Sequence, residues 1–325
     1  MKLAILDDYQ RVALASADWE RLRRRGVEVT VFHEPFATTE EAAARLAAFD
    51  IVCLMRERTP FPRALVERLP RLKLVTLTGM RSPSLDDHAC TERRIPVSHT
   101  RPGASGASTA ELAWGLIIAA ARDLAKAGRG MRTGLWQDGI AGGIALEGKR
   151  LGLIGLGKLG SRVARVGSAF GMDVVAWSQN LTPERAISSG ALYLPKDELL
   201  ATSDVISIHL VLSERTRGVI GAAEFARMKR GAILVNTSRG PIVEEAAMIE
   251  ALKSGRLGHA ALDVYDREPL AADHALRTLD NVTLSPHLGY VTAEGFRMYY
   301  EDTIESVEAW LDGKPLRLLN PETVK

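Results

Sequence analysis

LGLIGLGKLGSRVARVGSAF (151–170) is the stretch on which the reading of the fold turns. A short apolar run enters three glycines spaced G-x-G-x-x-G, Gly155, Gly157 and Gly160. A helical pattern follows in which Leu159, Val163, Val166 and Phe170 recur on one face. The first glycine permits a tight turn, the second lets backbone approach a pyrophosphate, and the third lets helix and strand pack closely. The helix N-terminus then offers unpaired N–H groups and positive dipole to the phosphates. Glycine-rich turns are common and methyltransferases use related loops. A second strand on schedule, DVVAW (173–177), favours a dinucleotide.

Where that strand ends, an acidic group commonly accepts hydrogen bonds from the adenosine ribose. This chain has Ser178, then Gln179 and Asn180. Losing a charge-assisted hydrogen bond of roughly 1.5–3 kcal/mol weakens the preference for NAD, and a neutral serine does not repel a 2′-phosphate. No arginine stands immediately beside Ser178, Arg185 being the nearest. Either NAD or NADP is permitted.

On both sides of the glycine loop, strand-like and helix-like segments alternate, which implies parallel sheets with helices on both faces. KLAIL (2–6), VEVTVF (27–32), DIVCLM (50–55), LKLVTLT (72–78) and IPVSH (95–99) form a first series. LGLIG (151–155), DVVAW (173–177), DVISIHL (204–210), AILVNT (232–237), AALDV (260–264) and NVTLS (281–285) form a second. A long apolar helix is expected over 108–127, opened by a capping box of Ser108 and Glu111. A terminal helix is expected over 292–313, stopped by Gly313 and Pro315. At 325 residues two domains are the default. The expected architecture is α/β and two-lobed: residues 1–99 with 292–325 form a flavodoxin-like substrate domain, and 100–291 a Rossmann dinucleotide-binding domain.

Composition narrows the function classes. A net charge of +2 gives no broad basic field for nucleic acid or anionic lipid. The RLRRR cluster (21–25) reads as a solvated helix end before Gly26. Cys53 and Cys90 form no CxxC and suggest no metal site, and Cys53 reads as a buried small hydrophobe. The chain begins directly in a strand without signal-peptide character, and LAWGLIIAAA (112–121) is too short to span a bilayer. A cytoplasmic location is expected.

Three polar residues follow three late strands: Arg239 in NTSRG, Glu268 in DVYDREP and His287 in SPHLGY. Singly they read as a loop arginine, a turn carboxylate and a strand-end histidine. Ligands of parallel α/β sheets bind beyond the carboxyl ends of the strands. A guanidinium, a carboxylate and an imidazole brought together there can anchor a carboxylate, polarise a carbonyl and move a proton.

With these residues in place the chain resembles the D-isomer-specific 2-hydroxyacid dehydrogenases, which include phosphoglycerate dehydrogenase and glyoxylate/hydroxypyruvate reductase. The resemblance rests on GKRLGLIGLGKLG (148–160), SDVISIHLVLSERTRGVI (203–220), MKRGAILVNTSRGPIVEE (228–245), ALDVYDREP (261–269) and SPHLG (285–289). It implies that Arg239 holds the substrate carboxylate and carbonyl oxygen, that His287 is the acid/base, and that Glu268 pairs with it. In reduction of a 2-oxo acid, hydride from the nicotinamide attacks the carbonyl carbon and negative charge develops on oxygen. A proton from His287 and the charge of Arg239 stabilise that oxygen, and a nearby carboxylate favours the protonated imidazole.

The resemblance further implies cofactor contacts at Leu159 and Thr216 near the phosphates, at His209 beside the nucleotide, and at Thr237 and Asp263 near the carboxamide, with Gly289 closing the last block. For His209 and Asp263, strand-end packing or capping is an equal reading. The first lobe departs from the family. A glycine-rich stretch is replaced by TGMRSPSLD (78–86), so Gly79, Met80 and Arg81 are substrate-binding candidates, with the Gly79 amides a candidate carboxylate nest. Arg56 and Arg58 in LMRERTP are further candidates, or surface ion-pair partners. The expected partners are a small anionic 2-oxo or 2-hydroxy acid and a second copy of the chain, paired through the cofactor lobes and the long helix. A dinucleotide-sensing corepressor with little turnover is the alternative. The formate or phosphite branch is a third reading, disfavoured by the Glu268/His287 pairing.

Overall fold

Strand β1 (Lys2–Ile5) opens the chain, followed by α1 (Ala13–Ser16), α2 (Glu20–Arg23), β2 (Glu28–Val31), α3 (Thr39–Leu46), β3 (Ile51–Leu54), α4 (Arg63–Val66), β4 (Leu74–Leu77), α5 (Asp87–Glu92) and β5 (Val97–His99) in the computed structural model, which describes residues 1–101, 105–140 and 142–324. All five strands are parallel, in the order β2-β1-β3-β4-β5. That is the flavodoxin-like order. IVCL and LVTL of β3 and β4 are buried at every position, as strands covered on both faces must be.

The second series comprises α6 (Ser105–Ala121), α7 (Leu124–Arg132), β6 (Arg150–Ile154), α8 (Lys158–Ala169), β7 (Asp173–Trp177), α9 (Pro183–Ser188), β8 (Leu192–Tyr193), α10 (Lys196–Thr202), β9 (Val205–Ile208), α11 (Ala222–Arg227), β10 (Ile233–Asn236), α12 (Glu245–Lys253), β11 (His259–Leu262) and β12 (Val282–Leu284). Its seven strands are also parallel, ordered β12-β11-β10-β9-β6-β7-β8. Order reverses between β6 and β9, the switch point of a doubly wound Rossmann sheet. Helix α13 (Ala293–Leu311) then returns to the first sheet. The chain divides into one compact unit of Met1–Ala104 with Thr292–Lys325 and another of Ser105–Val291. Residues 100 and 101 thus group with the first unit, whereas the sequence places them in the second.

Local expectations needed correction in four places. The helix expected over 108–127 is two helices, broken at Asp123, whose φ of 49° is left-handed. Aspartate tolerates that conformation better than most residues and is a weak helix-interior residue. Ser108 is no N-cap: α6 begins earlier, and the Ser108 hydroxyl donates to the Gly289 carbonyl at 2.8 Å. On α8 the packed face is Gly160, Val163, Ala164 and Gly167, while Val166 and Phe170 are exposed. A Cβ on Gly167 would meet Leu151 at 2.8 Å, so the close approach needs small residues that a search for apolar periodicity overlooks. Strand β8, two residues at the sheet edge, was not anticipated.

The RLRRR arginines are tied down within the first unit. Arg21 pairs with Glu308, and Arg25 reaches Asp312 at 2.5 Å at the C-terminal end of α13. Both cysteines are buried free thiols. No helix among the described residues is long and apolar enough to cross a membrane.

Candidate active site

At the β6/β9 switch point the glycine loop is closed to side chains at two of its three positions. A Cβ on Gly155 (φ 102°) would lie 2.6 Å from the His209 carbonyl, and one on Gly160 would lie 2.3 Å from the Gly155 carbonyl. Gly157, the N-cap of α8, has nothing within 4 Å of its Cβ position. The turn is therefore shaped by its outer glycines and open over the middle one, beside the amides of the first helical turn, an arrangement that suits an anionic group. Leu159 lies in that turn, its side chain packed on the core.

Two buried polar atoms beyond neighbouring strand ends have no hydrogen-bond partner among the described residues: Nδ1 of His209 after β9 and Oγ1 of Thr237 after β10. The other ring nitrogen of His209 bonds the Ser207 hydroxyl at 2.9 Å. Burial pushes the imidazole down to about 4, so it is neutral. Orphaned buried polar atoms are rare; here they line the region where a nucleotide's polar groups would complete them.

The three candidate catalytic residues follow three adjacent strands, β10, β11 and β12. Arg239 is half-buried; its Nη1 donates to the Ser238 carbonyl at 2.6 Å, and its own carbonyl accepts from the Asn236 side-chain Nδ2 at 3.0 Å. Glu268 accepts from the Tyr265 amide at 3.1 Å through Oε1 and meets His287 Nδ1 at 2.6 Å through Oε2. His287 has a left-handed φ of 57°, a costly conformation for a non-glycine residue that the surrounding loop enforces. The carboxylate on Nδ1 leaves Nε2 as the ring nitrogen able to exchange a proton with a ligand. Loops carrying Arg239 and Glu268 touch through Gly240, where a Cβ would meet the Tyr265 carbonyl carbon at 2.1 Å.

Comparison with known proteins agrees with this geometry. The family described as D-isomer specific 2-hydroxyacid dehydrogenase, NAD binding domain, matches residues 114–289. The chain belongs to this family. It is 40% identical over 269 residues to a glyoxylate reductase of Aeropyrum pernix, covering 80% of each chain. It is 38% identical over 273 residues to a D-3-phosphoglycerate dehydrogenase of Archaeoglobus fulgidus, covering 84% of this chain but 51% of that protein. The chain thus spans about half the length of that curated relative. Among solved structures, a phosphoglycerate oxidoreductase of Vibrio cholerae matches with a TM-score of 0.90 and 36% identity, over 96% of this chain and 99% of that one.

Within this dehydrogenase framework several expected ligand contacts are already spent on the protein itself. Both oxygens of Asp263 are engaged: Oδ1 accepts from the Ser285 hydroxyl (2.5 Å) and the Leu288 amide (2.7 Å), Oδ2 from the Gly289 amide (3.0 Å). Burial raises its carboxyl above the ordinary value against the lowering effect of those donors and of His287. The capping reading of Asp263 describes its contacts. The carbonyl of Gly289 accepts from Ser108 and Thr109, each at 2.8 Å, so with its amide on Asp263 the residue serves packing. The Thr216 hydroxyl accepts from the Ser213 amide and donates to the Val211 carbonyl, closing a turn. Ser178 stands half-buried just past β7.

In the first unit the Gly79 amide donates to the Thr100 hydroxyl at 2.7 Å. Arg56 lies over that glycine, its Nη1 3.0 Å from where a Cβ would be and its Nε 3.7 Å from the Glu57 carboxylate. Arg58 lies over the Tyr9 ring at 5.7 Å. Met80 and Arg81 are largely exposed. Sequence reading missed the residues that hold this turn. Asp7 accepts from the Thr59 amide (3.1 Å) and hydroxyl (3.0 Å), Thr78 from the Arg56 amide, and Ser82 from the Glu57 amide. The signal for Asp7 was a carboxylate directly after a buried strand.

Proposed function

We propose that the protein is an NAD(P)-dependent oxidoreductase that interconverts a small 2-oxo acid and the corresponding D-2-hydroxy acid. Bound NAD(P)H would supply the hydride in reduction, and bound NAD(P)+ would receive it in oxidation. Arg239 pairs its planar guanidinium with the substrate carboxylate and carbonyl oxygen. His287 gives a proton from Nε2 to the developing alkoxide, and Glu268 holds the ring by Nδ1 and stabilises its cationic form. Gly155, Gly157, Leu159 and Gly160 receive the pyrophosphate, and Ser178, His209 and Thr237 border the nucleotide, with Asp263 and Gly289 shaping the loop that bears His287. Arg56, Arg81, Met80 and Gly79 present the substrate side of the first unit.

The observation that carries this reading is the Glu268–His287 pair at 2.6 Å, one strand removed from the loop of Arg239. Formate oxidation requires no acid/base group for a substrate hydroxyl, so the pair favours hydroxy acids. Turnover measured on a panel of 2-oxo acids, glyoxylate and hydroxypyruvate included, with both nucleotides tests it. Tight nucleotide binding with no turnover of any acid would instead identify a nucleotide sensor.

A homodimer fits the exposed apolar side chains of Leu124, Met131, Leu135 and Trp136 on and after α7. Two free buried thiols suit a reducing compartment such as the cytoplasm.

A further inference from the structure

The end of β7 is bordered by two arginines that the reading above leaves unused. Ser178, Gln179, Asn180 and Leu181 make a turn closed by the Leu181 amide on the Ser178 carbonyl at 3.1 Å. Among the described residues the amides of Gln179 and Asn180 donate to no backbone carbonyl. The Arg185 guanidinium folds back and donates to the Asn180 carbonyl at 3.1 Å, which commits it to holding the turn. From the opposite side, the Gln179 side-chain amide donates to the Arg215 carbonyl at 3.3 Å, drawing the 213–217 turn alongside. That turn is itself made stiff by the Thr216 hydroxyl. Arg215 is exposed, and its guanidinium forms no ion pair among the described residues. The Glu184 carboxylate turns back to Thr182 and its own backbone, while Glu214, the neighbour of Arg215, is exposed.

In a doubly wound nucleotide-binding sheet the adenosine ribose lies at this strand end, about 20 residues beyond the glycine loop. We propose that the Ser178–Leu181 turn seats the 2′-phosphate of NADP(H), that Arg215 is its counter-ion, and that the protein is selective for NADP(H) over NAD(H). The proposal rests on the dehydrogenase reading for the position of the ribose. A phosphate there meets a hydroxyl, two amides and an exposed guanidinium, and the Ser178–Leu181 turn itself carries no acid to repel it. The planar guanidinium suits a phosphate in two-pronged contact, and a contact at the surface weakens with salt.

Calorimetric titration of the full-length protein with ADP-ribose and with 2′-phospho-ADP-ribose, neither of which carries nicotinamide, isolates this seat from catalysis. The wild type should bind the phosphorylated compound at least about tenfold more tightly, with the advantage shrinking as salt rises. Arg215→Gln should bring the two dissociation constants together while leaving that for ADP-ribose unchanged. A wild-type ratio at or below one overturns the proposal. So does an Arg215→Gln ratio equal to wild type, or loss of selectivity in Arg185→Gln but not in Arg215→Gln. Oxo-acid turnover scored with both dinucleotides reports separately on the catalytic reading, because a protein without turnover still yields the binding ratio.

Discussion

Asp263 in one unit and Asp7 in the other each follow a parallel strand and are almost wholly buried, and each fastens the loop after a neighbouring strand. Asp263, after β11, takes three donors from the segment that follows β12 and so holds the backbone on either side of His287. Asp7, after β1, takes two donors from Thr59 and holds the turn after β3 that displays Arg56 and Arg58. Burial raises both carboxyls above their ordinary value. The difference lies in what is held. Asp263 presents a general acid/base with its own carboxylate partner, whereas Asp7 presents charged side chains without a proton-transfer pair. Preorganised groups aimed at developing charge act on turnover, and groups that bind ground and transition state alike act on KM. The comparison therefore predicts that one clamp governs kcat and the other KM.

The strongest way to break the comparison is to remove the group that Asp263 positions. His287→Ala should lower kcat by roughly a hundredfold or more, the scale of a lost general acid–base, with nucleotide affinity little changed. Near-normal turnover would take His287 out of the chemistry and leave the second unit no different in kind from the first. Arg239→Lys should also be severe, since a point charge cannot reproduce a two-pronged contact. A modest rise in KM alone would make Arg239 a binding accessory.

Next in size is the clamp itself. Asp263→Ala leaves the Leu288 and Gly289 amides without their acceptor, at a cost of roughly 2 kcal/mol or more in stability. It should also lower kcat more than it raises KM. Urea midpoints together with steady-state rates would show it; a stability loss with kcat intact would reduce Asp263 to a structural cap.

Much of this was legible in the sequence, and the exceptions share a cause. Strands such as IVCL and LVTL announce themselves because burial on both faces demands continuous apolar runs. Arg239, Glu268 and His287 stand out because chemistry-bearing side chains directly after such runs are few. The clamps were harder to read. Asp7, Thr59, Ser82 and Ser285 meet partners distant in sequence, and nothing in their spacing states which. The same holds for Gly79, whose amide is spent on Thr100, and for the Asp123 break, which interrupts a run of good helix formers. Residue type reveals chemistry; pairing across strand ends needs coordinates.

His209 sharpens the comparison as a neutral imidazole whose buried Nδ1 has no partner among the described residues. Its folded value of about 4 lies below the ordinary 6.5. The unfolded chain therefore takes up the proton first as pH falls, and stability is lost between about 6.5 and 4, by up to about 3 kcal/mol. His209→Gln should flatten that part of the profile relative to wild type in urea midpoints taken across the window. Parallel profiles would mean that the imidazole is hydrated and not held neutral.

The smallest effect separates charge from contact at Asp7. In Asp7→Asn the amide oxygen can still accept from the Thr59 N–H while its NH2 donates to the Thr59 hydroxyl, and asparagine tolerates the left-handed φ of 60°. Asp7→Gly tolerates the same backbone but loses both contacts. The glycine variant should raise KM for an anionic oxo acid by several-fold with kcat little changed, and the asparagine variant should restore it. Stability carries the opposite sign from His209. Because Asp7 titrates higher folded than unfolded, the native state holds the extra proton, so its contribution is full at low pH and declines as pH rises through the raised value. A carboxamide cannot ionise, so the difference in urea midpoint between Asp7→Asn and wild type should move in favour of the variant as pH rises across that interval. If the difference stays constant with pH, the Asp7 carboxyl is not desolvated as its burial implies. If Asp7→Gly and Asp7→Asn share one KM, the two contacts to Thr59 do not set the geometry of the arginine turn.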